Sequence, residues 1–139
     1  MKDYYLFLTS NSTASHIGNN FLDFTVEFPY TINLSDKEWQ LGLLQISFFT
    51  KQNTISPNMY VCCDIITSSF CDNETLQILR FIPCHKGRTN LSFRNVFYQD
   101  VLPNSINKIR IYIKQVDGTE KSFKDEILYC TLHLKQKEQ

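Results

Sequence analysis

The stretch from Lys108 to Lys114 reads Lys-Ile-Arg-Ile-Tyr-Ile-Lys, and it decides the fold of this chain. Its three isoleucines fall on one face of an extended backbone and its polar residues on the other, because side chains alternate along a strand. The same period of two recurs in Phe24–Phe28 and in Leu128–Leu134. Strands with one apolar face bury that face by closing into a sandwich or barrel. The pattern therefore predicts an all-β protein.

Eight segments in all have strand patterns, separated by loops rich in Ser, Asn, Asp, Gly and Pro. The segment Asp36–Ile46 resembles a capped helix, but Trp39 and Gly42 within it favour a strand. The predicted strand Trp39–Phe49 has apolar residues on both faces, as a central strand would. We predict a single jelly-roll sandwich of about eight antiparallel strands, forming one domain over residues 1–139. The predicted strands are Tyr4–Thr9, Phe21–Phe28, Trp39–Phe49, Met59–Ile66, Leu76–Ile82, Ser92–Val101, Ile106–Val116 and Ile127–Lys135.

Composition narrows the functional class. An apolar content of 42% in 139 residues is enough for one packed core. The 14 basic and 14 acidic residues cancel, which argues against a dedicated nucleic-acid binder. The five cysteines have no regular spacing, so we expect free thiols and folding in a reducing, intracellular environment. We expect no membrane span, because no run approaches about 20 apolar residues, and no signal peptide.

The residues that could support catalysis or bind a metal are scattered along the sequence. Cys84-His85 could be half of a zinc site, but no second pair follows at metal spacing. No nucleophile elbow and no phosphate-binding loop occurs. We interpret His133 as a half-exposed strand residue rather than a ligand or a base. The sequence predicts no enzyme, no cofactor and no metal.

One strand face is a candidate contact surface. It is a basic stripe opposite the isoleucines of the stretch quoted first, and it consists of Lys108, Arg110, Tyr112 and Lys114. Basic residues with an aromatic among them could contact nucleic acid or an acidic partner. The alternative interpretation is an ordinary solvent-exposed face.

Four aromatic residues are candidates for a subunit interface: Trp39, Phe48, Phe49 and Tyr98. Because Phe48 and Phe49 are neighbours in a strand, they point to opposite faces. One of them should therefore face a second layer, a loop or another subunit. Trp39 could anchor an interface or cap the core, and the core is the simpler interpretation.

A series of segments in order along nearly the whole chain matches one family pattern. They are Leu6–Ser12, Asn19–Phe21, Phe24–Val26, Ile32–Leu34, Trp39–Ile46, Tyr60–Ile66, Ile78–Phe81, Ile109–Ile113, Asp117-Gly118 and Thr131–Leu134. In this order they resemble a protein family of the virus-like transposons called Polintons or Mavericks and of the related adintoviruses. The turn Ser35–Glu38 departs from the pattern, since a Gly is common there.

This resemblance implies a minor capsid protein, a penton-like subunit with a single jelly roll. Such a subunit would form a homopentamer at the fivefold vertices of a virion, beside a double jelly-roll major capsid protein. It would be made in the cytoplasm or nucleus of the host cell. The alternative is a jelly-roll binding module or attachment spike that recognises a glycan or a protein partner through its loops.

Overall fold

The alternating runs form strands in the computed structural model, which describes residues 3–11, 22–50, 58–71, 73–83, 87–115 and 127–137. Within these ranges there are eleven strands and no helix. The strands are β1 (Asp3–Thr9), β2 (Asp23–Asn33), β3 (Trp39–Thr50), β4 (Asn58–Cys63), β5 (Ser69–Cys71), β6 (Glu74–Leu76), β7 (Ile78–Pro83), β8 (Gly87–Ser92), β9 (Tyr98–Asp100), β10 (Ser105–Gln115) and β11 (Leu128–Gln136).

The strands form two larger antiparallel sheets and one small hairpin. Sheet A has the order β1-β11-β3-β8, with β9 also paired to β3. Sheet B has the order β2-β10-β4-β7. The hairpin consists of β5 and β6, which lie between β4 and β7 in the chain.

The pairing is that of a long ribbon folded back on itself. The first strand, β1, pairs with the last, β11, and β2 pairs with β10. Further in, β3 pairs with β8 and β9, and β4 pairs with β7. Wrapping this ribbon into two layers joins β11 to β3 and β10 to β4. This arrangement is a jelly roll, and it confirms the predicted all-β antiparallel sandwich.

The core lies between the two sheets and is filled by the apolar side of each strand. In β10 the side chains of Ile109, Ile111 and Ile113 are buried, as the alternation predicts. They meet residues from both sheets in one cluster that also contains Phe24 and Phe48. Complete burial of each such side chain contributes roughly 1.5–3 kcal/mol, so this cluster is the main source of stability.

The prediction for β3 places two sets of apolar residues on opposite faces, and that division is wrong: Ile46 and Phe48 point inward together with Trp39, Leu41 and Leu43. Leu132 of β11 lies opposite Leu43, whereas the preceding residue, Thr131, lies opposite Gln45. Leu44 is thus an extra residue, a β-bulge that resets the alternation of side chains. Its carbonyl oxygen accepts a hydrogen bond from the amide of Phe93 at 2.9 Å. On either side of the bulge the inward-facing side chains are Trp39, Leu41, Leu43, Ile46 and Phe48.

The predicted strand Ser92–Val101 is interrupted in the structure. Residues 93–97 leave the sheet, and the side chain of Arg80 contacts them at three points. Its guanidinium lies 4.0 Å from the ring centre of Phe93 and 4.1 Å from that of Phe97. It also donates a hydrogen bond to the carbonyl of Asn95 at 2.6 Å. Such cation–π contacts stabilise a segment that has no strand partner.

Three other predicted boundaries are corrected. Residues 87–90, predicted to be loop, belong to β8, which starts at Gly87 with a φ of 95° that glycine adopts without steric cost. Residues 84–86, also predicted to be loop, lie outside the described residues. The predicted loop Thr67–Thr75 contains β5 and most of β6. Strand β2 runs through Pro29, which is tolerated because β2 is at the edge of sheet B.

The four described cysteines are free thiols, and three of them are buried. Burial raises the pKa of Cys62 and of Cys130 from 9.0 to about 12, and it raises the pKa of Cys63 as well. Protonated, inaccessible thiols react slowly with alkylating reagents. In a Cys84→Ser background at pH 8 we therefore expect iodoacetamide to label Cys71 first. The other three should be labelled only after unfolding.

Peptide mass spectrometry over a time course measures these rates. Labelling of Cys130 as fast as Cys71 would contradict the packing described.

The raised pKa values of the buried thiols also determine how the free energy of unfolding changes with pH. Above about pH 9 the unfolded chain loses these thiol protons first, so the free energy of unfolding should fall as pH rises further.

Candidate functional site

The outer face of sheet A carries a cluster of large aromatic side chains exposed to solvent. Tyr5 and Phe7 lie on β1, Tyr129 on β11 and Phe49 on β3. We call these four residues the aromatic face. Phe7 is 76% exposed and Tyr129 is 55% exposed. Several exposed aromatics on one sheet face are uncommon in a monomer and are typical of a contact surface.

Strand register brings two of these rings together. Phe7 lies opposite Thr131, and Tyr129 lies opposite Thr9, so the two rings are diagonal neighbours on adjacent strands. Diagonal neighbours in a sheet are close enough for large aromatic side chains to share one surface. The sequence missed this pair, because 121 residues of chain separate its members and only the pairing of first and last strands joins them.

A groove of about 540 Å³ runs beside these rings. Phe7 and Tyr129 line it on the β1 and β11 side, and Gln45, Ser47 and Asn90 line it on the β3 and β8 side. The amide of Gln45 donates a hydrogen bond to the hydroxyl of Thr131 at 3.1 Å, which orders the base of the groove. No residue that lines it carries a formal charge at neutral pH. Its volume is in the range of small-molecule sites.

His133 lies at one end of the aromatic face and joins three strands. The ring of Tyr5 stacks on its imidazole with centroids 4.7 Å apart. The hydroxyl of Tyr98 is 2.8 Å from its Nδ1. The carboxylate of Asp3 is 3.3 Å from its Nε2, but their orientation does not make a hydrogen bond. With only 12% of its side chain exposed, His133 is more enclosed than the sequence interpretation expects.

Tyr98 completes this end of the surface. The ammonium group of Lys135 lies 4.0 Å from its ring centre. Loss of solvent around Tyr98 raises the pKa of its phenol, and the nearby Tyr5 and Asp3 raise it further. At neutral pH the phenol therefore stays protonated and can donate to Nδ1 of His133. The cluster ties β1, β9 and β11 together.

Gly42 provides the space in which Tyr98 packs. A Cβ atom at Gly42 would lie 2.5 Å from Cγ1 of Val96 and 3.0 Å from the Tyr98 ring. We expect Gly42→Ala to destabilise the protein by about 1–3 kcal/mol, because overpacking displaces the segment before β9. Urea unfolding measures the loss. Val96→Ala removes the nearest atom, so the double variant should be less destabilised than the sum of the two single ones. Strict additivity would contradict this contact.

The four candidate interface residues divide into two pairs. Trp39 and Phe48 are buried in the core, where Trp39 lies beside Tyr4 with ring centres 5.8 Å apart. Burial removes both from the candidate surface: it agrees with the core interpretation of Trp39 and corrects the interface role of Phe48. Phe49 is exposed on the opposite side of β3, which confirms that the two neighbouring phenylalanines face apart. Phe49 and Tyr98 stay candidates for a subunit interface.

The basic stripe lies on the outer face of sheet B, opposite the buried isoleucines, as predicted. Acidic residues accompany it. Arg110 makes two hydrogen bonds of 2.9 and 2.7 Å to the carboxylate of Asp23, which raises the pKa of the guanidinium. Lys108 lies opposite Glu27 in the register of β10 and β2.

Lys114 continues the same pattern, with Nζ 3.7 Å from a carboxylate oxygen of Glu74. The hydroxyl of Tyr112 lies 3.4 Å from the Gln77 side chain rather than beside an acid. Each of the three cations therefore has an acidic neighbour, so the stripe is not a positively charged surface. This balance removes the main electrostatic reason to expect phosphate binding there.

The part of the chain that the structure describes contains no helix long and apolar enough to cross a membrane. Across the same ranges, no three side chains of His, Cys, Asp or Glu come together as a metal site.

No protein-family model matches the chain, and no curated protein matches it. Among solved structures, the chain is similar to VP2 of infectious bursal disease virus in its subviral particle. The likeness covers 96% of this chain and 33% of that one, with 12% sequence identity and a TM-score of 0.34. The chain thus spans about a third of the VP2 chain. So low a TM-score carries no argument, and the jelly-roll assignment rests on the strand pairing alone.

Proposed function

We propose that this protein is a structural subunit of a viral capsid that assembles with copies of itself. More narrowly, we propose the minor capsid, or penton, role: a homopentamer at the vertices of a virion, next to a double jelly-roll major capsid protein. Two lines of reasoning support the proposal. Jelly rolls are the fold of many capsid subunits, and the ordered sequence segments resemble the Polinton and adintovirus family.

The observation that carries the proposal is the aromatic face. Phe7 and Tyr129 lie on the two paired strands β1 and β11, so a rigid sheet holds both rings at the surface. Rigid, exposed aromatic residues lose little conformational entropy when a partner covers them, and they dominate the energetics of protein interfaces. A self-assembling subunit provides such a cover at each contact, and a lone domain does not.

The packed interior also supports a structural role. The space between the sheets is filled by Phe24, Phe48, Met59 and the isoleucines of β10. Jelly-roll enzymes of the cupin type place polar metal ligands in that space. Here the inward positions of the described strands carry apolar side chains except for Thr89 of β8, and this packing stabilises a rigid unit.

Assembly is the property to measure. Native mass spectrometry and analytical ultracentrifugation of the purified chain should give a species of five copies of 16.3 kDa, about 82 kDa. Phe7→Ser should shift this species toward monomer. Tyr30→Ser is the matched control, since it removes an exposed aromatic on β2, outside the aromatic face. A monomer that also fails to co-sediment with its co-expressed major capsid protein would exclude the penton role.

The groove favours one second candidate function, a binding module for a neutral glycan. The rings of Phe7 and Tyr129 beside the amides of Gln45 and Asn90 combine apolar faces with neutral hydrogen-bonding groups. A glycan array probed with the wild-type chain tests it. Binding by a strictly monomeric protein, abolished in Tyr129→Ala, would favour the module over the capsid subunit.

A further inference from the structure

The β5–β6 hairpin presents one side chain almost entirely to solvent. Phe70 is 90% exposed, more than any other large apolar residue in the described ranges. It lies opposite Thr75 in the two-stranded ladder. Because its own chain covers so little of the ring, Phe70 contributes almost nothing to the core. Such a residue on a short hairpin is the kind of anchor that a partner surface covers.

The groove on sheet A has properties that complement this ring. Phe7 and Tyr129 give it aromatic walls, and its lining is uncharged, so an apolar ring could enter without burying an unpaired charge. Just outside the groove, Nη1 of Arg88 lies 3.5 Å from Ser47. On the hairpin, Glu74 keeps about half of its side chain exposed, although Lys114 is 3.7 Å away. The guanidinium of Arg88 and the carboxylate of Glu74 are therefore opposite charges, one on each surface, and Lys114 offsets only part of the Glu74 charge because their exposed pair is screened by solvent.

We propose that Phe70 of one copy inserts into the groove between β1, β11 and β3 of the next copy. The proposal rests on the self-assembly proposed above and names the two surfaces that meet. Phe70 does not line the groove of its own chain and is 90% exposed, so the contact joins two molecules. The hairpin and the groove are different surfaces, which makes the contact head-to-tail. Head-to-tail contacts repeat around a ring when the rotation closes, whereas a two-fold contact stops at a dimer.

Two complementary variants test this arrangement. Phe70→Asp removes the inserting ring and leaves the groove intact. Gln45→Trp fills the groove at an exposed position and leaves the hairpin intact. We expect each variant alone to be monomeric, with self-affinity weakened roughly 30-fold or more, the effect of losing one interface anchor. Mixed in equal amounts, they should form a dimer and nothing larger, because the mixture contains one intact hairpin–groove pair.

The matched control is Phe81→Asp, which changes another exposed phenylalanine, on β7, and should assemble as the wild type does. Circular dichroism and urea unfolding confirm that all variants are folded. If Phe70→Asp assembles normally while the wild type is a ring, the insertion is overturned and self-assembly stands. If the mixture stays monomeric, the head-to-tail pairing is overturned. If the wild type is monomeric at every concentration, the insertion and the proposed self-assembly both fail.

Discussion

Deletion of Leu44 is expected to leave a folded protein, whereas Leu43→Asp is expected to prevent folding. Leu44 is the extra residue of the bulge in β3, so Leu43 and Ile46 are three positions apart although both side chains point inward. Without Leu44, the two halves of the strand follow one uninterrupted alternation. Leu43 and Ile46 are then two positions apart, which keeps them on the same face.

The two changes differ in what they place inside the sandwich. Deletion of Leu44 leaves Trp39, Leu41 and Leu43 facing inward and removes one half-buried side chain, at a cost of about 1–3 kcal/mol. Leu43→Asp removes roughly 1.5–3 kcal/mol of burial energy. It also places an unpaired carboxylate in the core, which costs several kcal/mol more. The combined loss is comparable with the entire stability of a small domain, about 5–15 kcal/mol.

Circular dichroism and urea unfolding of both variants provide the measurement. The Leu43→Asp variant should lack a cooperative transition, and the deletion variant should keep one with an unchanged slope. A deletion variant that does not unfold cooperatively would mean that Leu44 is not an extra residue of the strand, and the pairing of β3 with β11 would be wrong at this point.

The same strand shows where sequence reasoning reaches its limit. In β10 the alternation of isoleucine with polar residues predicts the strand, its buried face and its exposed face, because both faces differ in composition. In β3 the bulged residue is a leucine among other apolar residues, so nothing in the residue types marks it. The bulge is visible only in the pairing with β11.

The loop prediction for the segment that forms β8 is wrong for a different reason. Its sequence, Gly-Arg-Thr-Asn-Leu-Ser, is largely polar and indicates a loop. Pairing with residues 45–50 of β3 makes it a strand, with Thr89 as its buried side chain. Here tertiary context outweighs local propensity. The sequence does not reveal the aromatic face either, because that face also depends on strand pairing. Phe7 and Tyr129 look like ordinary strand residues until the first and last strands pair.

Phe48→Ala is expected to destabilise the protein by about 3–5 kcal/mol, and Phe49→Ala by less than about 1 kcal/mol. Both remove the same ring at adjacent positions, but Phe48 is buried in the core and Phe49 is 40% exposed on the aromatic face. Loss of a buried ring removes its burial energy and leaves a cavity. Loss of a ring that is 40% exposed leaves no enclosed cavity and removes only part of the burial energy, so its cost stays nearer that of a surface substitution.

Urea unfolding at a concentration at which both variants are monomeric measures the two losses without a contribution from assembly. Comparable destabilisation by both would contradict the opposite orientation of the two rings. Assembly should reverse the order. Phe49→Ala should weaken any contact made through the aromatic face, whereas Phe48→Ala should affect assembly only as far as the sheet itself unfolds. Because one substitution changes stability and its neighbour changes association, the pair separates the energetics of the core from those of the proposed interface.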